Sequence, residues 1–460
     1  VVAGTLDSIQ LEETMSVLFG LAAGIGIMGL SAVKRTGTRW IDRRIARGSM
    51  PRLYPELSDA ALCQVFDANE AKALHADPPV YVAALHGADE HSASVGRAFS
   101  QLLRRDLMLV RGLSAQGSED TPSDAFTGPD AIGDLSERND WFVGGEARAS
   151  HRKLQVSIWA ARGDEHLAPF TCEGDDPSAL LREVGLHVAE KLGGRLTPLS
   201  EEGLRHGRPA SLETLRRAGD ILNASLQRRA RGTSSDDDLE IEARALDLLG
   251  DEPQLSILAP CLSNERLGDT LKLYEHDPFN AALCFSLSAK VWRDRGFERD
   301  AAQFVRRGLE LCPSHGKLNM IAPLSAFDPS TMGHHAELGY LKLPGNSFAA
   351  GNYAYWLTRH ARDHARVIEI ARAAIDLSPA DPTNYEHLIG AYEALSDFER
   401  ALEVARELLG WFEPKLHPRT RYCLYQNPVM KQRIESGQHD PAESLRSHIR
   451  ALEQRAKPQP

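Results

Sequence analysis

Two histidine pairs have spacings at which metal chemistry is conceivable. His360 and His364 stand four residues apart, so one helix would place both imidazoles on one face, and His334 and His335 are adjacent. Arg359, Arg362 and Asp363 surround the first pair, as on an exposed turn of a repeat, and the bland reading is preferred: no metal and no cofactor. No phosphate loop of the form GxxxxGK[ST] occurs, nor a GxSxG elbow, an HExxH pair or an EF-hand loop. The run from Gly20 to Gly26 is rich in glycine but lies inside an apolar stretch, which argues against a nucleotide loop. Asp236–Asp238 reads as a solvated run or a helix N-terminus, where carboxylates suit the dipole. No constellation supports catalysis, so the expectation is a protein that is not an enzyme.

The six cysteines, at 63, 172, 261, 284, 312 and 423, form no CxxC and no zinc-finger spacing with histidine. They read as ordinary thiols in a reducing compartment. The net charge of -11 argues against a general nucleic-acid binder, which carries a basic face. A chain of 460 residues with 42% hydrophobic residues has material for several domains with real cores.

Residues 15–33 (MSVLFGLAAGIGIMGLSAV), after a tail of residues 1–14, contain no charge. As a helix they would span roughly 28 Å, about one hydrocarbon core, which predicts one N-terminal transmembrane helix. Asp7, Glu12 and Glu13 precede the run, whereas Lys34, Arg35, Arg39, Arg43, Arg44 and Arg47 follow it. Retention of basic residues inside predicts a single-pass protein of the bacterial inner membrane with its large C-terminal part in the cytoplasm. Arg39, Trp40, Arg43 and Arg44 are the candidates for contact with the membrane surface, within a basic juxtamembrane segment and connector over residues 34–77. Ser16, Gly20 and Gly24 recur every four residues and place small groups on one face, which permits close helix packing and a homo-oligomer.

The pattern changes over residues 78–196. Val80–Leu85 is a short apolar run of strand type, His91–Arg105 is helical in period, and Leu107–Val110 is expected as a second strand. Ser114–Gly128 is read as a loop and Ala131–Arg138 as a short helix. Trp141–Ala149 and Lys153–Ala161 flank a turn at Ser150–Arg152, and Leu154, Val156 and Ile158 alternate with polar neighbours. His166–Thr171 is a further strand, and Asp176–Gly193 a closing helix. This order, with the glycine-containing strand Trp141-Phe142-Val143-Gly144-Gly145-Glu146-Ala147-Arg148 and the close at Leu192-Gly193-Gly194, resembles the small α/β domain at the amino terminus of TolB. Versions of that domain precede helical repeats in many bacterial regulators. Leu85-His86-Gly87 departs from the usual pattern after the first strand. The resemblance implies a mixed sheet with a structural or docking role.

From Ser211 onward the periodicity is helical, and residues 210–435 resemble tetratricopeptide (TPR) repeats. One copy runs Ala282–Pro313, with Phe285, Ala289 and Trp292 on its first helix and Ala301, Val305 and Gly308 on its second. A second runs Phe348–Pro379 with Ala371 and Ala374, and a third runs Pro382–Pro414 with Tyr385, Leu388, Tyr392, Ala401, Ala405 and Leu408. Positions 301, 367 and 401 are separated by 66 and 34 residues, so a degenerate copy is expected over Ser314–Ser347. Arg229–Asp238 reads as a polar linker, and residues 436–460 as a C-terminal helix and tail.

The fold expected is therefore a small α/β mixed-sheet domain followed by an all-α TPR-like solenoid, with one transmembrane helix. The resemblance implies a membrane-anchored scaffold or adaptor binding other proteins or peptides, with the lipid bilayer as its second partner. The alternative is a regulatory subunit of a bacterial signalling or transcription-control system whose catalytic or DNA-binding part is on another chain. In the family the first helix of each repeat lines a concave groove, which makes Asn352, Arg359, Asn384, His387 and Glu393 the candidates for partner binding.

Overall fold

The computed structural model describes residues 74, 76–116, 141–150, 152–231, 235–263, 266–295, 298–324, 329–343, 346–417, 420–421, 424 and 428–457. All of them belong to one compact unit, Cys63–Pro460. A mixed sheet comes first and a mostly helical part follows.

The sheet consists of β1 (Pro79–Val82), β2 (His86–Gly87), β3 (Ser114–Gln116), β4 (Trp141–Ala149), β5 (Leu154–Arg162) and β6 (Glu165–Gly174). The strand order is β3-β1-β4-β5-β6, with β2 also on β4. β1 pairs in parallel with β3 and β4, whereas β4, β5 and β6 run antiparallel in succession. β5 buries Leu154, Val156, Ile158 and Ala160 and turns the residues between them toward the other face, the period-2 pattern of a half-buried strand. Two helices cover the sheet: α1 (Glu90–Leu107), capped by Asp89, and α2 (Pro177–Lys191), capped by Asp176 with proline in its first turn.

The strand expected at Leu107–Val110 is instead the last residue of α1 and the turn that follows it. Leu102, Leu103 and Leu107 are all buried along one helical face, and the Met108 amide donates to the Arg104 carbonyl at 3.0 Å. The third strand begins later, at Ser114, inside the stretch expected to be loop.

The helical part runs from α3 (Pro198–Gly203) through α4 (Leu212–Arg231), α5 (Ser235–Asp251) and α6 (Leu267–His276) to a series of pairs. The pairs are α7 (Ala281–Arg295) with α8 (Glu298–Leu311), α9 (Gly316–Ile321) with α10 (Pro329–Lys342), α11 (Ser347–Trp356) with α12 (His364–Leu377), and α13 (Pro382–Ala394) with α14 (Phe398–Phe412). Then come α15 (Pro428–Glu435) and α16 (Pro441–Ala456). From α7 to α14 each helix packs on the next, and α11 also touches both α9 and α13, so first helix stacks beside first helix. The pair over Ser314–Ser347 has a first helix of six residues that tightens into a 3-10 turn, Ala322–Leu324, containing Pro323. Proline there removes a backbone donor, so a full-length helix cannot continue.

The sheet and the helices are joined through buried charge. Arg105 of α1, 3% exposed, donates to Asp106 Oδ1 at 2.9 Å, to the Gly203 carbonyl at 2.9 Å and to Asp277 Oδ1 at 2.5 Å. Arg208 reaches Asp106 Oδ2 at 2.8 Å. Ser256 donates to the other oxygen of Asp277, and Asn280 donates to Ser256 at 2.7 Å. The Asp106 carboxyl lies above its ordinary range, because desolvation outweighs the pull of Arg208 and Arg105. Two guanidinium groups and two carboxylates thus offset one another, and α1 is held to helical segments far away in sequence.

The expectation of a fold with one transmembrane helix is corrected. Among the described residues no helix is long and apolar enough to cross a membrane. The long helices carry several charges: α1 contains Arg97, Arg104, Arg105 and Asp106, and α4 contains Arg216, Arg217 and Asp220. Residues 15–33, with Ser16, Gly20 and Gly24, lie outside the described residues, as do Arg39, Trp40, Arg43 and Arg44.

Candidate functional site

α11 presents the most distinctive surface among the described residues. Its N-cap Asn346 accepts from the Ala349 amide at 3.0 Å. Helical geometry advances about 100° per residue, so Phe348, Asn352 and Tyr355 fall within one narrow arc, and Arg359 follows in the next turn. The opposite arc carries Ala350, Tyr353, Ala354 and Leu357, which are buried with Val367, Ile370 and Ala374 of α12. The exposed arc looks out between the neighbouring first helices. Asn352 Nδ2 donates to the Met320 carbonyl of α9 at 2.9 Å on one side, and the Tyr355 ring stands 6.2 Å from His387 of α13 on the other.

Phe348 and Tyr355 are each 46% exposed, large for aromatic side chains. Covering the exposed half of each would contribute on the order of 1 kcal/mol. The Arg359 guanidinium lies over the Tyr355 ring at 5.7 Å, so a cation sits one turn beyond the second aromatic. The helix changes character here: Leu357–Ala361 is a π-type turn that ends at Arg362 in the left-handed region, with φ of 55°. Such turns recur at functional sites because they displace side chains from α-helical register.

The five residues expected to bind a partner have different fates. Arg359 is exposed, with its guanidinium over the Tyr355 ring. His387 is half-buried, and burial pushes its imidazole down to about 4, so at neutral pH it serves as a hydrogen-bonding ring and not as a cation. Asn352 is spent on the strut to Met320. Asn384 is only 1% exposed and lies against Gly351, where an added Cβ would stand 3.0 Å from its Oδ1, while its Nδ2 has no hydrogen-bond partner. Glu393 is ion-paired to Arg455 at 3.0 Å and lies 3.3 Å from His448 Nε2, so α16 already occupies it.

Tyr355 and Phe348 were not among the residues expected. The signal was present as two aromatics seven residues apart with alanines opposite. The histidine pairs separate as well. His335 is fully buried with Nδ1 2.8 Å from Asn319 Oδ1, and His360 stacks on Trp356 at 6.3 Å. The left-handed Arg362 and the Asp363 cap stand between His360 and His364, so no single helix carries both. Among the described residues no group of three or more His, Cys, Asp or Glu is placed to hold a metal ion. Against known proteins, no protein-family model matches the chain, and no curated protein matches it either.

Proposed function

We propose that this protein is a non-catalytic adaptor that holds a partner protein on the first-helix face of TPR-like pairs, centred on α11. The observation that carries the reading is the exposed row Phe348, Tyr355 and Arg359, set between two neighbouring helices on a rigid stack. An exposed aromatic row costs solubility unless something covers it, and aromatic and arginine side chains dominate binding energy at protein interfaces. The stack supplies rigidity, because the α11 backbone is fixed from behind by α12 and from the sides by α9 and α13.

Site-specific photocrosslinking in living cells tests this. A photoreactive residue replacing Tyr355 in the full chain should give a discrete protein adduct, and the same residue at exposed Leu239 should not. Equal adducts, or none, at both positions would remove the proposal.

A further inference from the structure

We draw no further inference here: the strongest candidate, the apolar crevice between β5, β6 and α2 lined by Ile158, Leu167, Phe170, His187 and Val188, is an unpartnered apolar face, and nothing in the structure shows what covers it.

Discussion

Arg105 and Asp277 are 172 residues apart in sequence, yet Nη2 of one donates to Oδ1 of the other at 2.5 Å with both side chains out of contact with water. The pair makes the sheet and the helical stack interdependent. Truncating one partner leaves a buried charge uncompensated. Arg105→Ala should therefore destabilise the fold by about 3–5 kcal/mol, read as a shift in urea midpoint. A loss below about 1 kcal/mol would show that the joint is open to solvent.

A second contact between the same layers is steric. Gly219 of α4 crosses α1 so closely that an added Cβ would stand 1.8 Å from the Ser94 carbonyl oxygen. Gly219→Ala must push two backbones apart and should cost about 1–3 kcal/mol. Gly410, within α14, has nothing within 4 Å of such a Cβ, so Gly410→Ala should stabilise by up to about 1 kcal/mol through helix propensity. Thermal melts of the two variants should move in opposite directions, and movement in the same direction contradicts this packing.

Ala301 and Ala401 are 3% and 0% exposed on the second helices of their pairs. Leucine at either position adds methylenes to a filled site and should cost about 1–3 kcal/mol. Exposed Leu239, changed to alanine, should leave the melt within about 0.5 kcal/mol. Unchanged melting of both leucine variants would contradict the placement of these helices.

Acid should weaken the fold through histidine. Burial pushes the His335 imidazole from 6.5 down to about 4. The unfolded chain therefore binds a proton below about pH 6.5 that the folded chain refuses. Stability is full above that pH and is lost as the pH falls toward 4, where the deficit from His335 reaches roughly 3 kcal/mol. His387 is pushed the same way by burial, so the two act in one direction. Urea midpoints at pH 7, 5.5 and 4.5 should fall progressively, and His335→Gln should flatten the decline. A midpoint that does not change between pH 7 and 4.5 would contradict the burial of His335.

The residues that build each element announce themselves locally. Asp176-Pro177, Asp381-Pro382 and Asp440-Pro441 cap helices with a carboxylate and preset the first turn with proline, and both effects act within a few residues. The alternation in β5 and the spacing of alanines in the second helices likewise depend only on the period of the backbone. The misreading at Leu107–Val110 has the same origin: four apolar residues suit a buried helix end as well as a strand, and only the packing of Leu102, Leu103 and Leu107 separates the two.

The sequence by itself therefore carried the alternation of β5 and the helical period of the later segments, since these follow from hydrogen bonds and side-chain spacing within one segment, whereas the end of α1 and the start of β3 were set by packing. It did not determine which polar groups are left for a partner. Glu393 is taken by Arg455, 62 residues later, Asn352 by Met320, 32 residues earlier, and Asn384 is sealed against Gly351. The exposure of Phe348 and Tyr355 depends equally on where α9 and α13 come to rest. A side chain's availability depends on every neighbour that packs around it, and those neighbours come from distant parts of the chain, so only the tertiary structure decides it.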